Sequence, residues 1–483
     1  AGYRAKLRRV ISGDPNPTGP GLRFEDLSAR FDAAFQGRHQ PIHLGSYALM
    51  PKAPRRGPGP CSWTALVWLQ AQPKGEACVI SEEQAGHSVS LGLDATGPIA
   101  KISWPGGETR LSLGARLTLM RWHRLWVSAD PATGQLLLGA QSIEDATEPK
   151  TCTASVNGLA LPDGSGTVMV AARNAAAPTA HLTGKIEEPA ILGRFQTAWP
   201  RPDVPLSAQT PGLLAAWDFS RGITTQDVED IGPQACHGAL VNVPTRAVVG
   251  ARWSGAEMCW RHAPADYGAI HFHADDLSDC GWADDFTFKV PADLRSGAYA
   301  FHISCAEGED HIPFYVLPPR GTATAPVAFL ASTFTYQAYA NHSRGNANAA
   351  YKARVAAWGA YPHNPDDFPI YGRSTYNRHP DNSGIAFSSR LRPILTMRPG
   401  FLTFDDAKGS GLRHYPADTH ILAWLEARGI AFDVITDHDL HAEGAELLAN
   451  YKVVMTGSHP EYHTPQTLDA LYSYTRSGGR MMY

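Results

Sequence analysis

Lys452-Val453-Val454-Met455-Thr456-Gly457-Ser458-His459-Pro460-Glu461-Tyr462 reads as an apolar strand that opens directly into an imidazole, a carboxylate and a phenol. In open α/β sheets ligands bind beyond the carboxyl ends of the strands, so this stretch predicts a parallel sheet and a site at its edge. The surrounding sequence has the matching grammar of alternating strands and helices. Val327-Ala328-Phe329-Leu330-Ala331-Ser332 is a continuous apolar strand. A helix is expected over 419–428, with Asp418 as its cap and Gly429 as its terminator. Phe432-Asp433-Val434-Ile435-Thr436 is the next strand, and Thr464-Pro465 opens another helix. Arg480-Met481-Met482-Tyr483 starts a last strand that stops almost as it begins. A central strand cut to a stub would leave backbone groups unpaired, so the sequence is expected to belong to a longer polypeptide.

The chain has 483 residues, 43% of them hydrophobic, enough for roughly three domains with cores of their own. A net charge of −4 gives no basic field for nucleic acid. No run approaches the roughly 18 apolar residues of a membrane span, and the basic start is not followed by the apolar core and cleavage site of a secretory signal. The expectation is a cytoplasmic protein without nucleic-acid or membrane partners. Cys61, Cys78, Cys152, Cys236, Cys259, Cys280 and Cys305 are widely spread and include no metal-binding pair. They read as reduced core residues.

The fold class expected is multidomain β plus α/β. Residues 1–210 hold short aromatic and aliphatic segments such as Ser62-Trp63-Thr64-Ala65-Leu66-Val67-Trp68-Leu69, separated by turns such as Asp130-Pro131-Ala132-Thr133-Gly134. They predict a jelly-roll or laminin-G-like β sandwich with an N-terminal extension. Residues 211–320 predict a β-rich region with an immunoglobulin-like module, built from the period-two runs at 268–273, 286–291 and 297–303. His271 and His273 share a face of their strand and are candidate metal ligands. Residues 321–483 predict a glutamine-amidotransferase-like α/β domain, incomplete at its C-terminus. No cysteine occurs from Ala306 onward, so chemistry there uses no thiolate of this domain.

Polar residues of that last region are bunched in Tyr336-Gln337-Ala338-Tyr339-Ala340-Asn341-His342 and Tyr371-Gly372-Arg373-Ser374-Thr375-Tyr376-Asn377. Long aromatic loops within compact domains are functional more often than disordered. Together with Asp433-Val434-Ile435-Thr436-Asp437-His438-Asp439-Leu440-His441 and Gly457-Ser458-His459-Pro460-Glu461-Tyr462, these segments resemble the large (beta) subunit of the N,N-dimethylformamidases, over the whole chain. The resemblance implies hydrolysis of dimethylformamide to formate and dimethylamine at a mononuclear iron held by two tyrosines and a glutamate. It also implies a small (alpha) partner subunit, in an α2β2 or larger oligomer. Carried over to this sequence, the glutamate is Glu461, one tyrosine is Tyr339, and the second is Tyr376, with Tyr371 and Tyr462 as alternatives. A further catalytic glutamate of the family has no counterpart before Tyr483.

The residue types suit that chemistry. Two phenolates and a carboxylate balance the charge of Fe(III), whereas zinc favours imidazole and thiolate. Such an ion can polarise an amide carbonyl and acidify water. His459 is the expected acid/base or orienting group and Asn341 the expected oxyanion donor. Two other readings compete. Ser458 beside His459 suggests a serine hydrolase, but Gly457-Ser458-His459-Pro460-Glu461 lacks the second glycine of a nucleophile elbow. A carbohydrate-binding or structural subunit with a degenerate amidotransferase-like domain would use Trp63, Trp68, Trp122 and Trp126 as a sugar platform. Trp122 and Trp126 share a strand face, but Trp63 and Trp68 do not, which points to core packing.

Overall fold

The computed structural model describes residues 2–145, 148–164, 166–199, 204–406 and 408–483. Two compact units divide the chain: His43–Ser278 with the short segment His379–Ser383, and the chain up to Ile42 with Asp279–Arg378 and Gly384–Tyr483.

The first unit contains two eight-stranded sheets. One runs in the order Lys150–Ser155, Gln135–Ser142, Trp122–Asp130, Cys61–Trp68, Gly184–Leu192, Ala269–Phe272 and Thr245–Val248, with Leu213–Ala216 also on Gly184–Leu192. The other begins at Asp227–Val228, passes through Tyr47–Met50 and Ala77–Gln84, and ends in the meander His87–Asp94, Gly97–Trp104, Gly107–Ser112. Strand alternation sends Trp63, Leu125, Val127, Val79, Leu91 and Ile102 into one apolar core. Gly139 pairs with Trp126 across the ladder, and a Cβ at Gly139 would lie 2.2 Å from the indole ring; the glycine is what lets the tryptophan lie flat there. Trp63 and Trp126 are wholly buried and Trp122 is 5% exposed. No sugar platform can be made from these three, in keeping with the face argument.

The second unit combines an antiparallel and a parallel sheet. In the five-stranded antiparallel sheet, Gly2–Gly13 lies between Leu22–Asp26 and Gly297–Cys305, Gly308–Val316 pairs with the latter, and Asp32–Gln36 also pairs with Gly2–Gly13. The parallel sheet has the order Phe432–Thr436, Val327–Ala331, Val453–Thr456, Arg480–Met482. Helix Tyr415–Ala427 is packed so that its Leu422 and Leu425 share one core with Val10, Ala298 and Ala300 of the antiparallel sheet and Phe329 and Val434 of the parallel one.

Several expectations are corrected here. The N-terminal strand is not part of the first sandwich, and residues 211–320 do not close as one module. Ala269–Phe272 completes a sandwich sheet, while the hairpin Gly297–Val316 belongs to the other unit. Residues 286–291 form no strand. Their alternation has another cause: Phe286 and Phe288 both pack on Phe31 and Phe301, at centroid distances of 5.1–5.5 Å. Asp418 is not a helix cap but lies inside the first turn, because the helix starts at Tyr415-Pro416. All seven cysteines are free; Cys61, Cys78 and Cys236 are core residues, but Cys305 is exposed. No helix among the described residues is long and apolar enough to cross a membrane.

Candidate active site

The parallel sheet reverses its winding between Val327–Ala331 and Val453–Thr456, since the strand that follows each in the chain lies on opposite sides of the pair. A crevice opens at the carboxyl ends of two such strands. From the first, the chain passes into the short helix Thr333–Ala338 and delivers Tyr339 at its end; from the second it passes through Gly457 to Glu461.

Three anchors fix this geometry. The Thr335 hydroxyl accepts the backbone N–H groups of Glu461 and Tyr462, at 3.0 and 3.2 Å. The buried Asp418 carboxylate accepts the Ser458 N–H at 2.6 Å and the Tyr336 hydroxyl. Ser374 and Thr375 donate their hydroxyls to the Ala338 carbonyl at 2.8 and 2.9 Å, which satisfies the end of the short helix and sets Tyr376 beside Tyr339.

The result is a cluster around one carboxylate. Tyr339 donates to Glu461 Oε2 at 2.8 Å and Tyr376 to Oε1 at 2.7 Å, with their rings stacked 3.8 Å apart. Tyr462 joins through its hydroxyl, 2.7 Å from that of Tyr376. His459 Nε2 is 2.8 Å from Glu461 Oε2. Tyr376 and Tyr462 also face an open cavity of about 580 Å³ that Phe334, Gln337 and Ala338 help to line.

Charge behaves accordingly. Burial pushes the Tyr376 phenol far above its ordinary 10, and its bonds to Tyr339, Tyr462 and Glu461 push the same way. Burial also raises Tyr339. Burial would raise Glu461, but the bonds from Tyr376, Tyr339 and His459 outweigh it and hold the carboxyl below its usual range. Thus the protein alone holds a carboxylate under two protonated phenols.

The sequence reading placed Tyr339, Tyr376, Glu461 and His459, and these four meet. Tyr371 does not reach the cluster; its ring stacks on Phe368. Asn341 does not either, which corrects its expected role at an oxyanion. Its amide N–H groups go to the carbonyls of Tyr371 and Pro393, at 3.1 and 2.8 Å, and its Oδ1 accepts the Leu395 N–H at 2.8 Å. With a φ of 56° and 1% exposure it is a loop anchor. Ser458 Oγ makes no hydrogen bond to His459 among the described residues, so no serine dyad is assembled.

A basic side was not foreseen. Arg413 lies 4.4 Å over the Tyr339 ring, with Nη2 3.2 Å from His459 Nε2. The His414 ring lies tilted 4.4 Å from the same phenol, and burial, then Arg413, drive its imidazole down to about 2. His342 is lowered to about 4 by burial and then Arg344. These imidazoles stay neutral. Arg413-His414 stands just before Tyr415-Pro416, and a proline in the first turn of a helix was the available signal.

Comparison with known proteins bears on the whole chain. Two solved structures resemble parts of it: a SAP-like pentraxin from Limulus polyphemus (TM-score 0.26, 12% identity, covering 34% of this chain and 76% of that one) and the LG1-3 region of the laminin alpha2 chain (TM-score 0.26, 11% identity, 36% of each). Residues 245–483 match the family model described as N,N-dimethylformamidase beta subunit-like, C-terminal. The N,N-dimethylformamidase beta subunits of Paracoccus aminophilus and an Alcaligenes species are 34% and 35% identical to it; each match takes in 100% of this chain and 67% of the relative. The chain belongs to the N,N-dimethylformamidase beta subunit family.

Proposed function

We propose that this chain is the hydrolytic subunit of an amidohydrolase that cleaves N,N-dimethylformamide and related small formamides to formate and the amine. The observation that carries the reading is the convergence of Tyr339 and Tyr376 on the two oxygens of Glu461, within a chain that matches 67% of each of two dimethylformamidase beta subunits.

The donor set fits a single hard cation. Two phenols and a carboxylate offer three oxygens at one place, and their neutralised charge suits Fe(III). Tyr339, Tyr376 and Glu461 would hold it, with Tyr462 as a neighbour of Tyr376. When bound, iron supplies Lewis acidity, which polarises a carbonyl and acidifies water. The chain's own groups do the rest. To hold the ion, Tyr339 and Tyr376 would give up to solvent the phenol protons they now donate to Glu461, which frees both carboxylate oxygens. His459, 2.8 Å from Glu461, is placed to hold a proton during attack on the amide and to pass it to the leaving amine. Arg413 stabilises charge on Tyr339 from above its ring. The apolar atoms of Phe334 and Ala338 at the cavity receive the N-methyl groups.

The winding reversal beside the site supports the amidotransferase-like reading of the parallel sheet, here without a cysteine nucleophile. The beta-subunit names of the relatives support a small alpha partner in an α2β2 or larger assembly, and a cytoplasmic location agrees with seven free cysteines.

The test uses the purified complex. Stoichiometric iron, a phenolate-to-iron absorption band and release of formate from dimethylformamide are expected, and Tyr339→Phe should lose the band and most of the iron and turnover. Full activity in iron-free protein would overturn the reading.

A further inference from the structure

The Tyr376 hydroxyl has another phenol beside it. Tyr462 lies 2.7 Å from it, oxygen to oxygen, and lines the same open cavity. The candidate ligands His271 and His273 are placed differently. His271 Nε2 is 3.1 Å from Asp381 Oδ2, and the His273 ring lies parallel to that of His379 at 3.5 Å, so the nitrogens of these two stacked rings do not converge on one ion.

The direction of the bond between Tyr462 and Tyr376 follows from the protons available. A phenol has one proton to donate, and a carboxylate only accepts. Tyr376 donates its proton to Glu461 Oε1 at 2.7 Å. The proton between the two hydroxyl oxygens therefore belongs to Tyr462, and the Tyr376 oxygen is its acceptor. Tyr339 is supported from another direction, by the Arg413 guanidinium 4.4 Å over its ring.

Both partners are held by their backbones. The Tyr376 N–H donates to Ser374 Oγ at 3.1 Å, and the Tyr462 N–H donates to Thr335 Oγ1 at 3.2 Å. Ser374 and Thr335 are both wholly buried, so neither phenol is carried by a loose segment. When Tyr376 gives up its proton, its bond to Glu461 goes with it, but its oxygen becomes a stronger acceptor for Tyr462. Hydrogen bonds to an ionised group are shorter and roughly twice as strong as neutral ones. Such a bond also draws electron density away from the phenolate oxygen, so a cation held by that oxygen keeps more of its own positive charge. That charge is what polarises a carbonyl.

We propose that Tyr462 is a positioning residue that donates its hydroxyl proton to the Tyr376 phenolate, fixing that oxygen and weakening it as an electron donor so that the ion remains a strong Lewis acid. The inference rests on the role proposed above for Tyr339, Tyr376 and Glu461.

The test compares the purified complex, loaded with Fe(III), in wild type and Tyr462→Phe. The variant removes one oxygen from a ring that is 38% exposed, and iron content and melting temperature should match wild type. The phenolate-to-iron absorption band should move to longer wavelength. Resonance Raman spectra of wild type should show a phenolate vibration that shifts between H2O and D2O, and that shift should be lost in Tyr462→Phe. Turnover should fall about 2–10-fold in kcat, the worth of one hydrogen bond, with KM little changed. Iron and band present in wild type but no solvent-isotope shift, or a band and Raman spectrum unchanged in Tyr462→Phe, would overturn the role of Tyr462 and leave the iron assignment standing. Loss of iron and band in Tyr462→Phe would overturn it too, by making Tyr462 a ligand itself. Wild type without iron or band would instead overturn the underlying function, and this inference with it.

Discussion

Gly457 is the residue on which the approach to Glu461 turns. A Cβ there would lie 2.1 Å from Asp418 Oδ2, inside a buried carboxylate that also holds Ser458 N–H and the Tyr336 hydroxyl. Gly457→Ala must push that carboxylate away from its donors. Overpacking of this kind costs about 1–3 kcal/mol, so chemical denaturation should show a loss of that size, together with weaker metal retention as the loop to Glu461 shifts. The role proposed for His459 fits its placement: it is exposed at 40% and bonded to Glu461 rather than to a backbone group. His459→Ala is expected to lower turnover by about 10²–10⁴-fold, the usual worth of a placed proton carrier, with iron and melting temperature retained. Unchanged turnover would remove His459 from the mechanism. These two residues lie within the stretch Lys452–Tyr462, but only His459 stands out there as a candidate site residue. Gly457 looked like an ordinary strand end, because the side chain that fills its space comes from a helix 39 positions away in sequence.

At the scale of elements, strand Phe432–Thr436 runs directly into helix Asp437–Glu443, and Asp437 is buried at the junction. Its carboxylate accepts the Phe334 N–H at 3.2 Å, at the start of the helix that leads to Tyr339. Burial nevertheless dominates and raises its pKa from 3.8 to about 7. A carboxyl raised in the folded state stabilises that state while protonated, so its contribution is complete below pH ~4 and is lost as pH climbs to about 7. Asp437→Asn keeps the acceptor and removes the charge. Its stability should match wild type near pH 4 and exceed it at pH 8, by at most roughly 4 kcal/mol; urea titrations of both proteins across that range give the difference. The elements themselves were legible. The strands at 327, 432, 453 and 480 and the helix from Thr464-Pro465 appear as read, because apolar runs and caps are local signals. The strand expected at 286–291 is absent because its alternation is satisfied by aromatic contacts instead of a ladder. The helix led by Tyr415 was shortened in the reading because Asp418 has the chemistry of a cap but is used by Ser458, which no local pattern announces.

At the scale of the molecule, the pairing of Gly2–Gly13 with Gly297–Cys305 was beyond reading, since nearly 300 residues separate two strands that each look complete alone. The consequence is a chain with two units, each with its own core, and such units can lose structure in separate transitions. The sandwich offers a selective way to test this. Glu82, wholly buried, accepts Arg56 at 2.8 Å and the Trp63 indole N–H at 2.9 Å. Glu82→Gln leaves the Arg56 guanidinium buried without its counter-charge, a change that costs about 3–5 kcal/mol. The wholly buried Trp63, Trp126 and Trp217 all lie in this unit, so tryptophan emission reports mainly its unfolding. Calorimetry of wild type should show two transitions, one coincident with the fluorescence change. In Glu82→Gln only that transition should move, to lower temperature, while the other stays. If the whole endotherm shifts as one peak, the units unfold together, and a defect in the sandwich then reaches the Tyr339–Glu461 cluster through stability alone.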